Sequence, residues 1–290
     1  TVPFDLNINL PPTINDFQVY EVCDNNTNSV NLLDINSMLL DTNFNVVVSY
    51  HTSEADAEAG INPLNSDYNY TNTTETLYAR VSFSTTRCYA VYPFLLNVNP
   101  LPIANQPNDL VACDDDTDGL LEFDLSLQNS AILGNQNTDD YTISYHSSGA
   151  DAINAVNLLD TDYAASDGQI IFARLEHNTT GCFDTAQFNV VVNPIPFASI
   201  EDQVICLNNL PLVVSANTNN PSDTYLWSTN AMSPEIEITQ VGTYSVTITN
   251  AFGCQNTSTF NVTESESATI EFVETIDFSD PNNITVTING

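Results

Sequence analysis

The feature that most constrains this chain is that it repeats itself. The run Ser49-Tyr50-His51-Thr52-Ser53-Glu54-Ala55-Asp56-Ala57 returns as Ser144-Tyr145-His146-Ser147-Ser148-Gly149-Ala150-Asp151-Ala152. Upstream, Val22-Cys23-Asp24 returns as Ala112-Cys113-Asp114; downstream, Tyr78-Ala79-Arg80-Val81 returns as Phe172-Ala173-Arg174-Leu175. The first cysteines of the two copies lie 90 positions apart and the second cysteines, 88 and 182, lie 94 apart. Matches this long, in one order, mark a unit of about 90 residues written twice, and no shorter solenoid period is present.

Each copy closes on a strand-like run and a proline mark: Phe94-Leu95-Leu96-Asn97-Val98-Asn99-Pro100 in the first, Phe188-Asn189-Val190-Val191-Val192-Asn193-Pro194 in the second. The run Phe4-Asp5-Leu6-Asn7-Ile8-Asn9-Leu10-Pro11-Pro12 has the same form. Residues 1–12 are therefore expected to be the last strand of a preceding module, 13–102 and 103–197 the two repeats, 198–264 a third module of different type, and 265–290 the start of another. The chain is expected to be a piece of a longer array. Proline at each junction restrains its own φ and the residue before it, so the linkers should be short and stiff.

Between these marks lie short β-branched and aromatic runs bounded by Asn, Asp, Gly and Pro, among them Val46–Tyr50, Thr142–Tyr145 and Tyr244–Thr249. Helical periodicity is confined to Asp34–Leu40 and Ser126–Leu133, a turn or two each. The expected fold is all-β, a tandem array of Ig-like antiparallel β-sandwich modules. In the third module, Trp227 on a middle strand and Gly242-Thr243-Tyr244 before Gly253-Cys254 form an Ig-like or PKD-like pattern around a core Trp.

Charge narrows the partners. The net charge is −34, with no lysine and only Arg80, Arg87 and Arg174 as bases. Such a chain cannot supply the cationic contacts that nucleic acid requires, and an anionic membrane leaflet repels it. With 42% hydrophobic residues it still has enough to build cores, and no run is long enough for a membrane span. Six cysteines, none in a CxxC, and only three histidines suit disulfides in an oxidising compartment rather than zinc. The expected location is extracellular or at the cell surface.

The sharpest motif is Asp114-Asp115-Asp116-Thr117-Asp118-Gly119, the first half of a D-x-[DN]-x-[DN]-G calcium loop. Alternate carboxylates converge on one side of a tight turn, and the glycine permits the bend. Asp114, Asp116 and Asp118, the carbonyl of Leu120, and Glu122 or Asp124 in place of a bidentate Glu form the expected Ca2+ ligands. The first repeat carries a diluted copy in Asp24, Asn26 and Asn28, with Ser29 for Gly and Asp34 expected to match Asp124. The plainer alternative is an acidic turn, since Asp, Asn and Gly are turn formers in any case.

One cysteine near each end of every module suggests three staples: Cys23–Cys88, Cys113–Cys182 and Cys206–Cys254. His51 and His146 fall at one repeat position, as expected for packing or hydrogen bonding. Arg80 and Arg174 recur on a strand before the second cysteine; a partly buried ion pair or stacking on an aromatic ring is expected, with ligand binding as the other reading. There is no nucleophile elbow, phosphate loop or metal triad, and carboxylates are too common to single out an acid/base pair, so no enzymatic activity is expected.

The Val/Ala-Cys-Asp start, the Tyr-His-x-Ser-x-Ala-Asp-Ala middle, the aromatic-Ala-Arg strand and the Asn-Pro-x-Pro end together resemble repeat modules of large surface adhesin-like proteins. Those proteins occur in gliding, type IX-secreting bacteria; residues 198–264 resemble the PKD-like modules of the same proteins. The resemblance implies non-catalytic, rod-like modules of a secreted or cell-surface adhesin, rigidified by calcium and disulfides, for adhesion or gliding motility. The expected partners are neighbouring modules, with an extracellular surface or polysaccharide beyond them. The alternative is a carbohydrate-binding accessory module of a larger secreted enzyme, for which Tyr68, Tyr70, Tyr141 and Tyr163 are the candidate platform residues.

Overall fold

The computed structural model describes residues 10–40, 45–206 and 209–265, and the backbone of 269–275 and 284–289. The run Phe4–Asn9, expected to close a preceding module, lies outside the described residues. The chain forms two compact units: residues 1–109, 123–163 and 170–189 in one, and 110–122, 164–169 and 190–290 in the other.

The first unit holds the whole of the first repeat. Its strands are β1 (Val19–Cys23), β2 (Ser29–Asn31), β3 (Val46–His51), β4 (Asp67–Asn69), β5 (Thr74–Phe83) and β6 (Tyr89–Asn99). One sheet has the order β1-β6-β5-β3, and β2 pairs with β4 in a second. Strict alternation decides which side chains point inward: Leu77, Ala79 and Val81 on β5, and Phe94, Leu96 and Val98 on β6. All of these but Val81 pack in one cluster with Leu32, Ile35 and Leu39 from a 3-10 turn that continues into one turn of α-helix, Leu32–Leu39. Each of the buried Leu, Ile, Val and Phe side chains stabilises the fold by roughly 2 kcal/mol, and Ala79 by less.

The second repeat follows the same plan with β7 (Leu110–Cys113), β8 (Leu120–Asp124), β9 (Tyr141–His146), β10 (Asp162–Ser166), β11 (Ile170–His177) and β12 (Phe183–Asn193), in the sheet order β7-β12-β11-β9. In the first unit β11 pairs antiparallel with β9 and with the early part of β12; in the second unit Val190–Asn193 of β12 run parallel to Leu110–Cys113. The second unit continues into the third module: β13 (Gln203–Ile205), β14 (Leu212–Ser215), β15 (Thr224–Trp227), β16 (Glu235–Ile238), β17 (Gly242–Thr249) and β18 (Gln255–Glu264). There β13-β18-β17-β15 face β14-β16 across a core centred on Trp227, which is 1% exposed and lies edge-on to Phe260. The indole Nε1 donates to the Ser233 carbonyl at 2.8 Å, and Tyr244 Oη donates back to the Gln240 carbonyl at 2.9 Å. That second bond is the tyrosine corner of Ig-like sandwiches. Thr269–Thr275 (β19) and Ile284–Asn289 (β20) pair antiparallel, where a further module was expected to start.

The modules are Ig-like sandwiches as expected, with one exception to their antiparallel pairing. In all three the first strand runs parallel to the last: Val19–Cys23 beside Leu95–Asn99, Leu110–Cys113 beside Val190–Asn193, Gln203–Ile205 beside Val262–Glu264. The first cysteine of each repeat is thereby held at the C-terminal end of the closing strand.

Candidate functional site

That register overturns the expected staples. Cys23 lies opposite Asn99, at one end of β6, whereas Cys88 sits in the turn just before Tyr89, at the other end. Eleven residues of strand separate the two levels, roughly 36 Å at the rise of a β-strand. A disulfide requires Cα atoms within about 7 Å. Cys206 and Cys254 are kept apart in the same way by the ten residues of β18. The bonds run between modules instead. Cys23 is joined to Cys182, 159 residues on, with Cα atoms 5.5 Å apart; Cys113 is joined to Cys254, 141 residues on, with Cα atoms 5.6 Å apart. The first cysteine of a repeat thus takes the hairpin cysteine of the next. Cys206 is exposed, and Cys88 lies half-buried in the β5–β6 turn. One clue stood in the sequence: the eleven residues that follow the second cysteine and end on the Asn of the Asn-Pro mark, which as a strand cannot be folded back.

The acidic turn follows directly on Cys113. Oxygens of Asp114, Asp116 and Asp118 lie within 4.8 Å of one another, so these three carboxylates are brought together as the spacing required. Gly119 has φ +79°, the left-handed conformation that the bend demands, and a Cβ there would meet open space. The carboxylates are engaged with the turn itself. Asp114, 7% exposed, accepts from the amides of Asp116 and Thr117 on Oδ1 and of Gly119 on Oδ2. Asp116 and Asp118 accept from the amides of Asp118 and Leu120. Glu122 is exposed and outside the cluster, while Asp124 caps the next 3-10 turn by accepting from the Ser126 amide at 2.9 Å.

The loop of the first repeat is not a residue-for-residue copy. From Asp24 to the first residue of its 3-10 turn, Leu32, is eight residues; from Asp114 to Leu125 is eleven. Asn31, not Asp34, is therefore the counterpart of Asp124: it accepts from the Leu33 amide as the cap, and Asp34 lies inside the turn. The left-handed positions fall on Asn26 and Asn28, so Ser29 is not under the demand placed on Gly119. Asp24 accepts from the Asn26 amide and from Tyr70 Oη at 3.0 Å; burial first, then this bond, pushes the Tyr70 phenol up.

The recurring Arg, His and Tyr form one repeated framework. Ser148 accepts from the Asp151 amide to start a helix over Gly149–Asn154, as Ser53 does for Glu54–Ala59. These two helices were not anticipated, although Ser-x-x-Asp before them is a capping signature. Arg174 Nη1 donates to the carbonyls of Ala152 and Ile153 in the last turn at 3.0 and 2.9 Å, where unpaired carbonyls and the helix dipole favour a cation. Its guanidinium stacks over Phe183 at 3.4 Å and pairs with Glu176 at 2.7 Å. Arg80 repeats the arrangement with Ala57, Glu58 and the Tyr89 ring, half-buried and with no carboxylate among the described partners.

Both His51 and His146 are fully buried. Nδ1 of each donates to a carbonyl, Ile61 at 2.8 Å and Val156 at 2.7 Å, so Nε2 accepts from Ser49 and Ser144. Tyr50 and Tyr145 donate to Asn36 and Asn129. The candidate sugar-platform tyrosines are half-buried in local packing: Tyr68 and Tyr70 against the first core, Tyr141 edge-on to His177, with Tyr163 likewise half-buried.

A family described as the Flavobacterium inter-domain disulphide bond domain matches residues 19–102 and again 109–196. None of the curated proteins compared matches the chain. Solved structures similar to it include an I-band fragment from titin (8% identity, 77% of this chain and 89% of that one, TM-score 0.36) and Drosophila OTK extracellular domains 3–5 (13%, 79% and 89%, TM-score 0.27). The insect immune protein hemolin is a third (10%, 96% and 85%, TM-score 0.23). No helix among the described residues is long and apolar enough to cross a membrane.

Proposed function

This chain belongs to the Flavobacterium inter-domain disulphide bond domain family, and we infer from that premise that it serves as non-catalytic spacer modules of a secreted or cell-surface adhesin, used in adhesion or gliding motility. The observation that carries the reading is the pair of bonds from each repeat to the module after it, Cys23–Cys182 and Cys113–Cys254. A disulfide within a domain stabilises that domain; one between domains fixes a neighbour. That is useful where position along an array matters, and it persists only in an oxidising environment. The reading is supported further by the framework residues: the repeated Arg and His are consumed by packing, which leaves the repeats as structure rather than chemistry. Protease shaving of intact producing cells should remove these modules, and deletion of residues 19–264 should reduce attachment or gliding while leaving growth unchanged. Modules that resist shaving and a deletion without phenotype would refute the reading.

The same reading gives the Asp114–Asp118 turn to Ca2+. Three carboxylates within 4.8 Å repel one another, and a divalent ion relieves this. Binding at a hundredfold excess over Kd stabilises the folded state by about 2.7 kcal/mol, and extracellular modules bind in the 0.1–1 mM range, on the order of their surroundings. Titration calorimetry of the whole chain should show uptake that Asp116→Ala abolishes. No heat at millimolar calcium would leave only a self-capped turn.

A further inference from the structure

The two disulfides overlap in sequence: Cys113 lies inside the loop closed by Cys23–Cys182, and Cys182 lies inside the loop closed by Cys113–Cys254. We propose that these interlocked covalent loops limit how far the chain can be stretched, and that each bridge backs up the other. The inference goes beyond the adhesin reading, because it rests on covalent connectivity alone and holds whatever surface the protein serves.

Tension applied at the two ends passes from residue 1 to Cys23 and crosses to Cys182. From there two covalent routes reach Cys254. One runs forward along 72 residues; the other runs back along 69 residues to Cys113 and crosses the second bridge. The routes are nearly equal in length, so a fully stretched chain would load them together. A third route leaves Cys23 itself and runs forward along 90 residues to Cys113; being about 20 residues longer than the other two, it stays slack when they are taut, so unfolding the first repeat beyond β1 does not lengthen the fully stretched array.

The backup follows from the same paths. With both bridges present, the fully stretched length is about 46 nm at about 3.5 Å per residue. Without Cys113–Cys254 the forward route remains, and the length is still about 46 nm. Without Cys23–Cys182 the path runs through residues 24–112 to Cys113 and across to Cys254, giving about 52 nm. Only loss of both releases the full chain, about 101 nm. Bridges confined to single repeats could not behave this way: each loss would add its own loop.

Single-molecule stretching of the whole chain through its termini reads these lengths directly. The samples are the oxidised protein, the protein treated with dithiothreitol, and the paired variants Cys23→Ala/Cys182→Ala and Cys113→Ala/Cys254→Ala. The readout is fully stretched length, so the variants must keep their remaining bridge but need not keep native stability; peptide mapping without reductant verifies that bridge. Lengthening by less than about 10 nm for either variant and by about 55 nm on reduction is expected. Lengthening by about 20 nm or more in either variant would overturn the proposal, as would a variant whose remaining bridge fails to form, since the backup would then not exist.

Discussion

Replacing Arg174 by Ala isolates the framework that holds the helix Gly149–Asn154 against its sheet. Three contacts disappear at once. The bonds from Nη1 to the Ala152 and Ile153 carbonyls come from a charged donor, and such bonds contribute about 1.5–3 kcal/mol. Stacking over Phe183 at 3.4 Å, with the guanidinium largely desolvated, is worth about 1–2 kcal/mol. The ion pair contributes least: Glu176 is 38% exposed, and water-facing pairs are worth about 1 kcal/mol or less. The three share one side chain and are not additive, and water can reach the released carbonyls in part. A net loss of about 3 kcal/mol is expected, which corresponds to roughly a hundredfold more frequent opening.

Amide hydrogen exchange across 149–156, with urea unfolding of the whole chain, measures the effect where it should arise. Arg174→Lys should recover only part of it, because an ammonium carries the charge but not the planar fork that stacks and bridges two carbonyls. Arg80→Ala should cost less, its side chain being more exposed and having no carboxylate among its described partners. Exchange rates and a urea midpoint unchanged by Arg174→Ala would show that the contacts carry no net energy, and the argument would fail.

Peptide mapping without reductant should recover Cys23–Cys182 and Cys113–Cys254; a Cys23–Cys88 or Cys113–Cys182 peptide would refute the pairing derived from strand register. Hydrogen bonds from Ser148, then Asn157, hold the Asp151 carboxyl below its usual range, so its contribution is present above about pH 4, the unfolded value, and is lost as pH falls through the lower folded value. The melting temperature of wild type should therefore fall more steeply with acid below about pH 4 than that of Asp151→Asn, and parallel curves would contradict this. His146→Ala should destabilise by about 2–3 kcal/mol, since it empties a fully buried ring site and leaves the Val156 carbonyl and Ser144 hydroxyl, both in part-buried bonds, without their shared partner; a loss under about 0.5 kcal/mol in chemical denaturation would count against it.

The repeats, the strands and the cores were legible in the sequence because each depends on neighbours a few residues apart. Alternation picks out Leu77, Ala79 and Val81 as inward on β5 whatever else the chain does. The recurrence of Arg80 and Arg174, each nine residues before an aromatic ring it stacks on, likewise pointed to packing. The Asp114–Asp118 cluster was legible for the same reason, being made by one turn. The correspondence of Asp34 with Asp124 was not, because three residues of loop length shift the frame and only the capping bonds of Asn31 and Asp124 reveal it.

The partners of the cysteines could be decided only in three dimensions. Counting along the chain makes Cys23 and Cys88 the two ends of one module, and two ends invite a staple. What forbids it is that β1 runs parallel to β6, so that Cys23 is level with Asn99 while a full strand holds Cys88 at the opposite end. A pattern of side chains reports which face of a strand is buried; it carries no information on whether a distant strand lies alongside it parallel or antiparallel. That choice belongs to the closed fold, and with it went the change from stapled modules to an array whose modules are bonded to one another.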